Sequence, residues 1–218
     1  MKLSFFLMSA ALLFTACQSA QPVEKHSFHC YVRYIEDQAQ LRAEATLLDA
    51  DSAAVEPPGG LRFQGQVMSK PPVAGAGYRY QQNGAAGDKA LFGWTNSAGR
   101  QHEFALPMLP VQDFGFGPPP LFHNRPDTLR WQGEPLTPGE TLVLMWENKE
   151  TNQTKPMEIY SSSVQKEIVF PAAKMAELTP GDWSLYLVRR KMVKGDATGV
   201  PATGIVEYYT RSQTFVVK

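Results

Sequence analysis

The sequence predicts an all-β protein built as two β-sandwiches in tandem, and three observations carry that expectation. Apolar residues recur mostly with period 2, the alternation of a half-buried strand. Chain breakers are frequent and spread out, with 17 Gly and 17 Pro in 218 residues, which suits short strands and turns better than long helices. Hydrophobic residues make up 43% and aromatics 11%, enough to bury a core and unlike a disordered chain.

The first block spans residues 27–121. Cys30, Val32 and Tyr34 alternate with Tyr31, Arg33 and Ile35. Leu41, Ala43, Ala45 and Leu47 then alternate with Arg42, Glu44 and Thr46. Gln, Ala, Leu, Arg and Glu are good helix formers, so a helix over 38–48 is the competing reading; strand-like runs on both sides favour a strand, with Asp37-Gln38 turning a hairpin. Pro57-Pro58-Gly59-Gly60 breaks the chain. Leu61, Phe63, Gly65 and Val67 follow with polar residues between, and 78–80, 90–94 and 102–106 read as short strands. Asn83-Gly84 and the run 96–99 carry turn chemistry. Phe114-Gly115-Phe116 leads into Pro118-Pro119-Pro120, which cannot extend a sheet ladder and marks the boundary.

The second block spans 122–218. Strands are predicted over 128–131, 141–146, 155–160 and 167–170, and a long alternating strand over 205–217. Between them lies Leu178-Thr179-Pro180-Gly181-Asp182-Trp183, followed by the alternating Ser184-Leu185-Tyr186-Leu187. This segment resembles the corner of fibronectin type III and related immunoglobulin-like domains, which usually carry Tyr where this chain has Trp183. The resemblance implies immunoglobulin-like sandwiches, and six or seven strands in the block suit one. A single continuous β-structure stays open as the alternative.

Residues 1–16 read as an export signal. Lys2 supplies the positive start, and 3–14 is apolar apart from Ser4 and Ser9, too short for an ordinary membrane-spanning helix. The run Leu13-Phe14-Thr15-Ala16-Cys17 resembles the lipobox of bacterial lipoproteins, with Phe14 where Leu is commonest. The resemblance implies cleavage before Cys17 and lipid attachment to its thiol. Acyl chains contribute about 0.8 kcal/mol of membrane affinity per buried CH2. Residues 17–26 then form a lipidated tether. Gln18, in place of the Asp that would favour inner-membrane retention, implies the outer membrane. Loss of Lys2 takes the formal net charge from zero to −1, too little to hold nucleic acid.

Chemistry-bearing motifs are sparse. No Gly-x-Ser-x-Gly elbow occurs, and neighbours on a strand such as His29 and Cys30 point to opposite faces. His26-x-x-His29 lacks the partners of a zinc site. Asp49-x-Asp51 lacks the later ligands of a calcium loop, and Gly75-Ala76-Gly77 lacks the rest of a dinucleotide fingerprint. Arg189, Arg190, Lys191 and Lys194 form one basic cluster, read as sheet-edge protection. Cys30 reads as a buried thiol. No catalytic residue, metal or cofactor is expected. The tandem Tyr78/Tyr80, Phe92/Trp94 and Phe114/Phe116/Phe122 read as core aromatics, with a sugar-stacking platform as the alternative.

The combined pattern resembles two-domain lipoproteins of Bacteroidetes-like bacteria. The resemblance brings no activity with it; the expectation from the chain as a whole is a membrane-anchored module that binds an envelope protein or glycan, without catalysis. A hydrolase of an envelope polymer, which would gather His29, His102 and His123 or two carboxylates around a cleft, is the alternative; an accessory subunit of an envelope complex is another.

Overall fold

A computed structural model describes residues 25–73, 75 and 77–218. Cys17 and the rest of segment 1–24 lie outside the described residues. In chain order the strands are β1 (Ser27–Ile35), β2 (Gln40–Leu48), β3 (Ala54–Val55), β4 (Arg62–Phe63), β5 (Gln66–Val67), β6 (Tyr78–Asn83), β7 (Lys89–Thr95), β8 (Gln101–Pro107), β9 (Gln112–Gly115), β10 (Asp127–Gln132), β11 (Glu140–Asn148), β12 (Thr154–Tyr160), β13 (Glu167–Phe170), β14 (Gly181–Asp196), β15 (Pro201–Tyr209) and β16 (Gln213–Val217). A 3-10 turn (Glu36–Gln38) joins β1 to β2, with Ala39 at φ 45° closing the hairpin. The segment 40–48 is a strand despite its helix-forming composition, because its even spacing buries Leu41, Ala43, Ala45 and Leu47 on one side.

The all-β expectation holds, and the two sandwiches share a sheet. Nine strands form one sheet in the order β12-β11-β14-β15-β1-β2-β3, with β16 also pairing β14 and β6 also pairing β2. Register carries one side of this sheet across the whole molecule. Leu142 pairs Arg189, Arg189 pairs Tyr208, Tyr208 pairs Tyr34, and Tyr34 pairs Leu41. Paired residues share a face, yet Leu142 belongs to one core and Leu41 to another. The same face is therefore covered twice. The four-stranded sheet β5-β4-β7-β8 supplies Phe63, Phe92, Trp94 and Leu106 to the first core. The three-stranded sheet β13-β10-β9 supplies Phe114, Leu129, Trp131 and Phe170 to the second.

The division at residue 122 does not coincide with the division of the cores. Ala197, Val200, Ala202, Val206 and Tyr208 pack into the first core, although they lie in the second sequence block. The cause is the length of β14. Its 16 residues outrun the second core, and β15 returns to pair in parallel with β1, Phe28 against Ala202 through Ile35 against Tyr209.

The run 205–217 is two strands rather than one. Val188 pairs Tyr209, but Leu185 pairs Gln213, so one extra residue sits opposite β14. Thr210 holds this bulge: Leu187 N–H donates to Thr210 Oγ1 at 2.9 Å, and Thr210 N–H donates to the Leu187 carbonyl at 2.9 Å. A one-residue slip reverses which side chains face inward. Val206 and Tyr208 face the first core, and Val217 faces the second.

Close backbone packing occurs where β1 meets β15. Gly204 lies opposite Cys30, and a Cβ there would stand 2.7 Å from Leu106 Cδ2 and 2.8 Å from Cys30 Sγ. Both neighbours are buried and have little room to yield. Gly204→Ala is expected to cost roughly 1–3 kcal/mol through overpacking, read in urea as a lower midpoint at unchanged slope.

Candidate functional site

The other face of the nine-stranded sheet has no sheet packed on it among the described residues. One row across it runs Tyr160, Thr141, Arg190, Glu207, Arg33, Arg42 and Gln81, each paired with the next. Tyr31, Tyr186 and Tyr209 stand on the same side. These positions come from the polar or aromatic half of each alternating run.

At the centre of this face four residues form a closed network. Arg33 lies over the rings of Tyr31 and Tyr209, 5.3 and 4.9 Å from their centroids. Its Nε donates to Tyr31 Oη at 2.7 Å, and its Nη2 donates to Glu207 Oε2 at 3.4 Å. Glu207 Oε2 also accepts from Tyr31 Oη and, at 2.9 Å, from Tyr209 Oη. Tyr186 stacks on Tyr209 with centroids 6.3 Å apart. Glu207 is 9% exposed, because the large side chains around it shield it.

Burial, and then the hydrogen bond to Glu207, push the Tyr31 hydroxyl well above its ordinary value. The same two causes push Tyr209 up to about 12. Both phenols therefore remain protonated donors at neutral pH. The network offers a fixed, amphipathic surface and no phenolate to act as base or nucleophile.

Beside it is a hollow of about 280 Å3 lined by Gly139, Thr141, Arg190, Met192 and Ile205. Met192 is 54% exposed and Thr141 only 7%. Small residues on and before β11 thus form a floor between taller ones.

On the opposite, covered face, Arg189 is 1% exposed. Its Nε and Nη2 donate to Glu140 Oε2 at 2.8 and 2.6 Å, and Nη1 and Nη2 donate to the carbonyls of Glu134 and Pro135 at 2.9 and 2.7 Å. Lys191 Nζ donates to Glu140 Oε1 at 3.0 Å, and Thr137 Oγ1 donates to the same oxygen at 2.6 Å. The basic cluster read as edge protection lies instead in a central strand. Alternation sends Arg189 and Lys191 to this carboxylate and Arg190 to the open face.

The histidines are not brought together. His29 is exposed on β1, His102 is buried on β8, and His123 lies in the loop before β10. His102 stacks on Trp94 at 5.2 Å, with its Nδ1 2.8 Å from the Ala197 carbonyl. Among the described residues no group of three or more His, Cys, Asp or Glu is placed to hold a metal. Asp49 closes a turn, its Oδ1 accepting from the N–H groups of Asp51 and Ala53, both at 2.9 Å. The aromatic runs are mostly core: Phe28 packs 4.6 Å from Trp94 and 5.6 Å from Phe92, and Tyr78 and Phe114 are buried. Trp183 does what the missing corner tyrosine would do, donating from Nε1 to the Thr179 carbonyl four residues upstream at 2.8 Å.

Cys30 is buried, and burial pushes its thiol up to about 12. A thiol must ionise to react. In a Cys17→Ser chain, a disulfide reagent at pH 8 is expected to leave the native protein unmodified and to label one thiol per chain in denaturant. Rapid stoichiometric labelling of the native protein would refute the assignment.

Among the described residues no helix is long and apolar enough to cross a membrane. No protein-family model and no curated protein matches the chain. Solved structures do match. One is dimeric latent PorU from Porphyromonas gingivalis, at 13% identity and a TM-score of 0.30, covering 96% of this chain and 21% of PorU. Another is the fibronectin(III)-like modules of Clostridium thermocellum CbhA, at 11% identity and a TM-score of 0.25, covering 88% of this chain and 92% of that one. This chain thus spans about a fifth of the PorU chain, and among its structural neighbours are fibronectin III-like modules of β class.

Proposed function

We propose that the protein is a non-catalytic binding module of the bacterial cell envelope, anchored in the outer membrane through lipid on Cys17. It docks a protein partner on the open face of its large sheet. The observation that carries this reading is the network of Tyr31, Arg33, Glu207 and Tyr209 on a sheet face left uncovered among the described residues. Tyr, Arg and Met are the residue types enriched at the centres of protein interfaces, and here they are already ordered, which lowers the entropy cost of docking. The hydrolase alternative lacks comparable support: His29 is exposed on β1 whereas His102 is buried on β8, and among the described residues no three of His, Cys, Asp and Glu are grouped as a metal site.

Two measurements test the reading. Wild type is expected in the membrane fraction and labelled by acyl precursors, with Cys17→Ser in neither state. A photo-crosslinker replacing Tyr186 on the open face is expected to capture a partner in intact cells, whereas one at Val67, exposed on β5 of the covering sheet, does not. Soluble, unacylated wild type defeats the anchor. Equal capture at both positions defeats the docking face.

A further inference from the structure

We infer that the hollow beside Arg190 receives a carboxylate carried next to a small aliphatic group, the chemistry of a peptide chain end with an apolar last residue. The inference rests on the open face being the docking surface and adds a ligand class to it.

Depth comes from residue size. A Cβ built on Gly139 meets nothing within 4 Å, so the space above it is empty. Thr141 is short and forms the floor, and in register on its two sides stand Tyr160 and Arg190. A volume of about 280 Å3 lies just below the usual range for a drug-sized ligand, so it suits a terminal group rather than a whole cofactor.

Charge comes from Arg190. Its register partner on β15 is Glu207, but that carboxylate is engaged by Tyr31, Tyr209 and Arg33. Glu158, on β12, accepts from Tyr160 Oη at 2.6 Å. Arg190 forms no ion pair among the described residues, while Arg33, Arg79 and Arg189 each have one. A guanidinium stays ionised and offers paired donors that match the two oxygens of a carboxylate. Half-buried at the wall of the hollow, it meets that anion with less competition from water.

The aliphatic part follows from Met192 and Ile205, which pair across β14 and β15 and complete the lining. Met adapts its shape to an irregular apolar guest. A bare inorganic anion would use the guanidinium and leave this apolar wall exposed.

The test is an NMR titration of the chain from residue 17 onward, bearing Cys17→Ser, with N-acetyl-leucine, its amide, and inorganic phosphate. Saturable shifts at Thr141, Arg190 and Met192 are expected with N-acetyl-leucine, and at least tenfold weaker affinity for the amide and for phosphate. Arg190→Gln is expected to lose at least tenfold for N-acetyl-leucine, and Arg190→Lys, which keeps the charge, less. Equal binding of the amide or of phosphate, unchanged affinity in a folded Arg190→Gln, or no saturable shift at these residues overturns the inference. The titration needs no partner protein, so its outcome reads independently of the crosslinking at Tyr186 and Val67.

Discussion

Replacing Glu140 with Ala is expected to destabilise the protein by roughly 3–5 kcal/mol, the cost of leaving a buried charge unpaired. Arg189 would keep its bonds to the Glu134 and Pro135 carbonyls but lose its counter-ion at the seam between the two cores. Replacing the pair together, Glu140→Leu with Arg189→Met, is expected to be neutral or stabilising, since two desolvated charges are removed at once. Urea unfolding of the three chains checks both statements; a loss under 1 kcal/mol in Glu140→Ala would show that water reaches the site. Burial pushes the Glu140 carboxyl up, but hydrogen bonds from Thr137 and Arg189, the Arg189 charge and Lys191 pull harder, and the net shift is downward from the ordinary 4.5. The stabilisation is therefore complete above that ordinary value and is lost as pH falls through the depressed native one. Glu140→Ala should lack this acid-dependent component.

A chain ending at residue 121 is expected not to fold, the largest effect anticipated for any change to this protein. Such a chain contains every strand of the four-stranded sheet together with β1, β2, β3 and β6. It lacks Ala197, Val200, Ala202, Val206 and Tyr208 from the first core, and it leaves one whole edge of β1 without a partner. The loss combines buried apolar area with unpaired backbone groups. Absence of a cooperative thermal transition and a poorly dispersed amide spectrum would bear this out. A dispersed spectrum would mean that the first core stands without β15.

The sequence made strands and their inward faces readable, because alternation states them directly. Leu41 through Leu47 and Leu142 through Trp146 are examples. The same alternation hid the join between the two halves. A strand with one buried face looks identical whether it closes a separate sandwich or crosses into its neighbour, so β14 gave no sign that it serves two cores. The bulge at Thr210 was invisible for a related reason: residues 205–217 alternate well enough to read as one strand, and a side-chain bond to Leu187 sets the slip. Arg189 and Arg190 are adjacent and chemically alike, yet one is an interior ion-pair partner and the other lines a hollow. Linear spacing identifies the cluster but not which member faces which way until the strand is placed in its sheet. The open-face network was out of reach altogether, since Arg33 and Glu207 are 174 residues apart and meet only through the parallel pairing of β1 with β15.

That pairing also fixes an order of events. In a chain emerging from its N-terminus, β1 and the sheet that will cover it appear first, and β15 appears almost last. Closing so long a loop precedes any gain from the contacts it permits, which slows folding. Until then β1 presents an unpaired edge, the kind of surface that seeds wrong association between chains. If the chain is exported as proposed, this topology requires it to stay unfolded, or be escorted, until almost its whole length has crossed, since β1 gains its second partner only when β15 arrives.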